Sequence, residues 1–178
     1  DQNWRRQDQF VRNVSYNNST RTIVAQVKQS TLRFTGRINF NITPDLTVQY
    51  YGQPFITRPL YSHFAYVSDP LVKKLDDRFT QFSADQLSQV NGSYLVDENR
   101  DGITDYSFSK PDFNFVQFRS NLVIRWEYRP GSELYLVWSE GNTADAYDDL
   151  DSPLFTSMFN NAFSGGNARN IFLVKWTY

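Results

Sequence analysis

The chain has 178 residues, of which 40% are hydrophobic, 21% charged and 17% aromatic, and its formal net charge is -1. A near-neutral chain without a clustered basic face is not expected to bind nucleic acid. The absence of cysteine excludes thiolate zinc sites, cysteine nucleophiles and disulfide scaffolds, and a single histidine argues against a Ser/His/Asp triad or a multi-histidine metal site. We therefore predict that the protein is not an enzyme.

The clearest pattern lies in residues 31–42, where apolar and polar side chains alternate. Alternation with a period of two indicates a β-strand. Twelve alternating residues exceed the length of a typical globular strand, about five or six residues, and are enough to cross a membrane as a tilted strand. The sequence Thr43-Pro44-Asp45 then predicts a tight turn, and residues 46–53 predict the return strand of a hairpin.

The residues before this strand alternate in the opposite phase, with Ile23, Ala25 and Val27 as the apolar members. A hairpin or a bulge near residues 28–30 would produce this change. Outer-membrane barrels keep their short turns on the periplasmic side, and the turn at Pro44 already occupies that end of the strand. We therefore favour one long strand with a bulge that projects above the membrane.

A second hairpin is predicted in the C-terminal third of the chain. Residues 118–128 alternate in the same way, and Pro130 and Gly131 fit the two central positions of a type II turn. Residues 134–139 predict the return strand, in which Leu134, Leu136 and Trp138 form the apolar side. Tyr135 and Val137 are also apolar or aromatic, so the two sides of this strand differ less than those of the other strands. Alternation in residues 170–178 predicts the last strand.

Two long polar segments interrupt this pattern. Residues 56–112 separate the two hairpins, and residues 141–169 separate the second hairpin from the last strand. Each contains a helix-like piece, at residues 69–89 and 150–163. Short turns at one end and long loops at the other are typical of an up-and-down barrel. With a stub near residues 4–11, the strands number five or six, whereas the smallest membrane barrels need about eight. The predicted fold is thus all-β, the C-terminal portion of a transmembrane antiparallel up-and-down β-barrel with long extracellular loops carrying short helices.

The strand phases divide the side chains into two sets, because alternate residues of a strand point to opposite faces. Polar residues of one phase are expected to line the lumen, where they keep it wet, brace it by ion pairs or act in selectivity. The predicted lumen-facing residues are Arg33, Arg37, Gln49, Arg119, Arg125, Glu127 and Lys175. The predicted lipid-facing residues are Phe34, Phe40, Trp126, Phe172, Trp176 and Tyr178.

Three stretches, residues 39–55, 118–132 and 170–175, resemble the C-terminal barrel of a Bacteroidota outer-membrane family called domain of unknown function 5916. In full-length members this barrel follows a signal peptide and a carbohydrate-binding family 9-like β-sandwich. The resemblance covers most of residues 20–178 and is specific in the hairpins. It implies an outer-membrane location and a barrel architecture, and the family offers no established activity to transfer. The chain departs from the family in one respect, because family chains end in aromatic-rich tails a little beyond this point, whereas here the sequence ends Trp176-Thr177-Tyr178. Tyr178 has the phase of a lipid-facing terminal aromatic.

Residues 97–105 match the first nine positions of a calcium-binding loop, with oxygen ligands at alternate positions and glycine at the sharp turn. The twelfth position is Phe108 where a bidentate glutamate is expected, so Asp112 or water would have to complete the ligand set. Two interpretations stay open, a weak Ca²⁺ site and a polar turn in an exposed loop. The predicted ligands are Asp97, Asn99, Asp101, the carbonyl of Ile103, and Asp105.

These observations predict an integral outer-membrane protein of a Gram-negative bacterium. Its role would be the passage of a solute or polymer, or that of an accessory subunit of an outer-membrane complex. The expected partners are the lipid bilayer, the rest of its own barrel N-terminal to residue 1 and other outer-membrane proteins, without nucleic acid. Ca²⁺ is the one candidate cofactor. The alternative is a soluble carbohydrate-binding β-sandwich module, which would also be rich in aromatic residues.

Overall fold

The computed structural model describes residues 8–147, 150–162 and 168–178, and these residues form mostly antiparallel β-structure. A single α-helix within the described residues, α1, spans Leu154–Ala162, and a short 3₁₀ helix spans Leu75–Arg78. The strands in the described residues are β1 Asp8–Tyr16, β2 Ser19–Arg33, β3 Gly36–Thr43, β4 Leu46–Val67, β5 Phe79–Gln81, β6 Leu87–Val90, β7 Ser93–Val96, β8 Tyr106–Ser109, β9 Asn114–Arg129, β10 Ser132–Ala146 and β11 Arg169–Thr177.

The chain divides into two compact units. The first unit comprises Asp1–Gln29 and Pro59–Asp112, and the second comprises Ser30–Arg58 and Phe113–Tyr178. In the first unit β1 pairs with β2, β5 pairs with the end of β4, and β6, β7 and β8 form a three-stranded sheet. In the second unit the strands lie side by side in the order β3, β4, β9, β10, β11, all antiparallel.

Both predicted hairpins are confirmed by these pairings. β3 pairs with β4 across the turn at Pro44, and β9 pairs with β10 across the turn at Pro130 and Gly131. Gly131 has a φ of 79°, the left-handed value that the third position of a type II turn requires and that glycine adopts without strain. The last predicted strand is β11, which pairs with β10 along its whole length and with no other strand of the described residues.

The predicted long first strand is divided in the structure. β2 continues through residues 28–30, where we expected the irregularity, and the interruption falls at Phe34 and Thr35 instead. Phe34 donates its amide to the carbonyl of Pro54 at 3.1 Å. Proline has no N–H to return that bond, so the ladder loses one hydrogen bond at this position.

The buried residues of β2 change phase between its first-unit part and its second-unit part. Ile23 and Ala25 are fully buried in the core of the first unit. Leu32, in the opposite phase, packs against the core of the second unit, around Ile56 and Met158. The sequence pattern shows this change of phase as a slip near residues 28–30.

The predicted helix at residues 69–89 is wrong. This segment contains the 3₁₀ helix, β5 and the start of β6, and β5 pairs with Ala65, Tyr66 and Val67 of β4. Long-range strand pairing therefore overrides the local helix-like pattern. The helix predicted at residues 150–163 is present as α1, which begins four residues later than predicted, at Leu154; residue 163 lies outside the described residues.

Candidate functional site

The second unit presents a sheet with two chemically different faces. Directly opposed residues of antiparallel neighbours share a face, so the registers of β3, β4, β9, β10 and β11 place every strand residue. We call the side that carries Arg37, Gln49 and Arg125 the polar face. The apolar face is the side that carries Phe40, Trp126 and their cross-strand neighbours.

The apolar face holds three successive cross-strand rows without a charged side chain. Phe172, Val174 and Trp176 on β11 are 75%, 66% and 66% exposed, so nothing among the described residues covers them. Exposed apolar surface of this kind marks contact with a membrane or with another protein. From one end of the strands to the other, the rows are Ile38, Tyr50, Leu122, Trp138 and Phe172; then Phe40, Val48, Ile124, Leu136 and Val174; then Leu46, Trp126, Leu134 and Trp176.

Aromatic side chains lie in the two outer rows of this apolar band, one toward each end of the strands. At one end the rings of Trp138 and Phe172 stack, with centroids 6.3 Å apart and an interplanar angle of 8°. At the end near the tight turns, Trp126 and Tyr128 meet edge to face and Trp176 lies beside Tyr178. The next row beyond Trp138 contains Ser120 and Glu140 and ends the apolar band.

All the predicted lipid-facing residues lie in the phase of the apolar face. Phe40, Trp126, Phe172 and Trp176 belong to the three rows. Phe34 lies further along, and its ring meets that of Phe155 on α1 edge to face at 5.9 Å. Tyr178 follows the last residue of β11 in the phase of Trp176. The lipid contact itself stays a prediction.

All the predicted lumen-facing residues lie in the phase of the polar face. The registers give this placement directly for Arg37, Gln49, Arg119, Arg125, Glu127 and Lys175. The hydroxyls of Thr31 on β2 and Thr57 on β4 are 3.0 Å apart, so these two residues share a face and β2 continues the register that β3 has with β4. Arg33, two residues after Thr31, therefore also lies in the phase of the polar face. Not every member of this face is polar, because Val123, Val137 and Leu173 form one apolar row across it.

Charges on the polar face are paired at the end near the tight turns. Arg125 donates through Nε to Glu133 at 2.9 Å and also contacts Glu127 at 3.6 Å. Tyr135 donates its hydroxyl to the second oxygen of Glu133 at 2.9 Å, and the ammonium of Lys175 lies 5.6 Å from the Tyr135 ring centre. The sequence predicted Arg125 and Glu127 here and missed Glu133, which a two-residue turn would have placed within reach.

Helix α1 packs on the apolar face beyond the exposed rows and holds a buried arginine. Arg58 is 7% exposed and donates to Asn114 at 2.6 Å, to Ser157 at 3.0 Å and to the carbonyl of Ser152 at 2.8 Å. These bonds tie β4 and β9 to the helix and the segment before it. We missed Arg58 because the predicted strand ended by Phe55, whereas β4 continues past Thr57 and Arg58 keeps the phase of the apolar face.

A second buried network lies in the first unit. Glu98 accepts hydrogen bonds from Arg21 at 2.9 Å and from the hydroxyl of Tyr106 at 2.6 Å, and the Arg21 guanidinium lies 4.9 Å from the Tyr66 ring centre. The hydrogen bond to Glu98 raises the pKa of Arg21, and burial, followed by the bond to Glu98, raises the pKa of Tyr106 well above its ordinary range. Sequence spacing gave no sign of this long-range network.

The predicted calcium loop, residues 97–105, connects β7 to β8 in the first unit. Its carboxylates accept bonds from the loop's own backbone, as Asp97 does from Gly102 at 2.8 Å and Asp105 does from Glu98 at 2.7 Å. Asn99 and Asp101 form a similar pair of contacts with backbone amides. Among the described residues no group of three or more histidine or acidic side chains is close enough to hold a metal. The Ca²⁺ site, including the Ile103 carbonyl, stays a prediction, with the polar turn as its alternative.

If this loop binds Ca²⁺, replacing Asp101 with alanine should remove the protection that calcium gives it against protease. Asp101 supplies one of the expected side-chain ligands, and an incomplete set implies affinity only at millimolar concentrations. The measurement is the rate of limited proteolysis in the loop of the intact protein, with calcium and with chelator. Equal rates for both proteins under both conditions would support the polar turn alone.

Comparisons of the chain with protein-family models, curated proteins and solved structures found no match. Within the residues that the structure describes, no helix is long and apolar enough to cross a membrane.

Proposed function

We propose that this chain is part of the wall of an outer-membrane β-barrel, with the apolar face of the second unit against lipid and the polar face toward a water-filled lumen. The observation that carries the proposal is the exposed, charge-free set of three rows on one face of an antiparallel sheet, opposite a face with arginine, lysine and amide side chains. Lipid is the solvent that such a face requires, while water suits the other.

The dimensions and the aromatic residues support the same proposal. From Leu122 to Tyr128 the apolar side of β9 covers six residue steps, about 20 Å along the strand. Because the strands of membrane barrels are tilted by about 35–45°, this stretch covers roughly 15 Å of the roughly 25 Å apolar band. β9 as a whole has 16 residues, more than the about 9 to 11 that a tilted strand needs to cross a bilayer. Trp138 and Trp126 stand near the two ends, where aromatic girdles meet the lipid headgroups.

The edge strand β11 supports the further proposal that other strands complete the barrel. One side of β11 pairs with β10, and within the described residues no strand pairs with the other. An unpaired edge of nine residues invites pairing with another strand, and a closed barrel satisfies it. The added strands would come from a preceding segment of the same polypeptide, as in the outer-membrane family that the hairpins resemble, or from another copy. The cargo would be a solute or polymer, and we propose no catalytic role.

The test uses single cysteines, because the chain has none of its own. Ile124→Cys and Val123→Cys place a thiol on the apolar and the polar face of the same strand. After labelling with bimane in vesicles, fluorescence at position 124 should be quenched by lipids with doxyl groups in their acyl chains, and fluorescence at position 123 by aqueous iodide.

The alternative, a soluble carbohydrate-binding sandwich, predicts a different result. Its apolar face would be covered by a second sheet, since a sandwich buries the inner faces of both sheets. Neither quencher would then reach position 124, and the protein would not sediment with membranes. That pair of results would exclude the barrel.

A further inference from the structure

The polar face has an uneven distribution of paired and unpaired charge. Arg125 at the end near the tight turns is neutralised by Glu133 and Glu127. Toward the other end of the strands, no carboxylate of the described residues lies within ion-pair distance of the remaining arginines of this face. The arginines without a carboxylate partner among the described residues are Arg33, Arg37, Arg119 and Arg169, and the Arg37 guanidinium lies 5.3 Å from the Tyr51 ring centre.

Two of these arginines flank a glycine in a single cross-strand row. Arg119 of β9 is directly opposite Gly141 of β10, which is directly opposite Arg169 of β11. Neighbouring strands are about 4.8 Å apart, so the two arginine backbones lie roughly 10 Å from each other with one strand between them. Both side chains are exposed, and each is long enough to turn toward the middle of the row.

Gly141 leaves space between them. A Cβ atom added at this position would meet no atom within 4 Å, and the φ of Gly141 is not in the left-handed region, so the backbone does not require glycine here. An open cavity of about 230 Å³ lies here, lined by both arginines together with Asn121, Ser139 and Ile171. Its lining is mostly apolar, and its polar groups are the two arginines and the pair in which Ser139 donates its hydroxyl to Asn121. Glu140 also borders the cavity, but the register places its side chain in the phase of the apolar face.

We propose that this row is a binding site for oxyanions, in which Arg119 and Arg169 hold a phosphate, sulfate or carboxylate group at Gly141. Guanidinium groups bind such anions through paired N–H donors, and two of them converging on one anion add both charge and geometry. Arg37, one row away, and Arg33 extend the positive potential along the face. The inference rests on the proposed function, because it needs the polar face to be in water, and it makes the lumen selective for anionic solutes.

The test measures the local potential with a thiol at the centre of the row. In Gly141→Cys, modification rates are compared for an anionic and a cationic methanethiosulfonate, each relative to its rate with a free thiol. We expect the anionic reagent to be favoured about tenfold or more. The added double change Arg119→Gln with Arg169→Gln should remove most of this preference and leave only the smaller contribution of Arg33 and Arg37. Thr143→Cys, two residues along the same face, serves if Gly141→Cys does not assemble.

Controls separate the site from general charge. Lys175→Gln removes one positive charge from the same face at its paired end, and the ratio at position 141 should be unchanged. Inorganic phosphate should slow the anionic reagent in the parent thiol variant and not in the double arginine variant. Protection by succinate and not by phosphate would assign the site to carboxylates.

The outcomes also separate this inference from the proposed function. If both reagents react at position 141 with the free-thiol ratio, the polar face is in water and the oxyanion site is wrong. If neither reagent reacts in an assembled protein, the polar face is not in water, and the lumen and the site are overturned together.

Discussion

Arginine in place of Ile124 should prevent stable assembly of the protein in a membrane, whereas arginine in place of the adjacent Val123 should be tolerated. The two residues lie on opposite faces of β9. An arginine at the midplane of the lipid face costs about 2 to 4 kcal/mol. That is a large fraction of a net stability of about 5 to 15 kcal/mol. At position 123 the new side chain would stand beside Gln49 in the lumen, with water available to its charge.

The pair is closely matched, because both positions carry half-buried branched aliphatic residues in the middle of one strand. The measurement is the fraction of protein that migrates as a folded species in unheated gel samples, followed by urea unfolding in vesicles. We expect Ile124→Arg to lose most of the folded fraction and Val123→Arg to retain it. Equal loss for both would mean that arginine disturbs packing on either side, and a greater loss for Val123→Arg would reverse the assignment of the faces.

The sequence predicted the sheet of the second unit in unusual detail, for a physical reason. Both hairpins have tight turns with proline or glycine at defined positions, and turn geometry fixes the register of the flanking strands. Period-two alternation then assigns each side chain to a face without further information. Arg169 was within reach of the same reasoning, since it continues the alternation of Ile171, Leu173 and Lys175 by one step.

The first unit could not be predicted in the same way, because its structure depends on contacts between segments far apart in the chain. β5 forms by pairing with the end of β4, and Phe82 and Val96 are buried in a core with Ile23. Short strands of three or four residues are too brief to show a period. The break after Arg33 also depends on a distant partner. Pro54 has no N–H to donate to the carbonyl of Phe34, and nothing in the sequence near Phe34 indicates this loss.

The role of Glu98 in the first unit leads to a prediction about stability. Its side chain is 9% exposed, it pairs with Arg21, whose side chain is 28% exposed, and it also accepts a bond from Tyr106. Removing one partner of a buried pair leaves the other charge without compensation, at a cost of about 3 to 5 kcal/mol. Because Arg21 keeps some contact with water, we expect Glu98→Gln to destabilise this unit by about 3 kcal/mol, at the lower end of that range.

Hydrogen exchange in the intact protein measures this effect where it occurs. The amide of Asp105 donates to the carbonyl of Val96 at 2.8 Å, closing the hairpin next to Glu98, and should exchange about a hundredfold faster in Glu98→Gln. Asp85→Asn is the matched control, since it removes a carboxylate charge from an exposed ion pair. The side chain of Asp85 is 62% exposed and that of its partner Arg100 is 57% exposed. Exposed pairs contribute about 1 kcal/mol or less, so its effect on the same amide should be within about fivefold. Similar acceleration in both variants would show that burial adds nothing to the Glu98 network, and a hundredfold effect in Glu98→Gln alone would establish it as the polar centre of the unit.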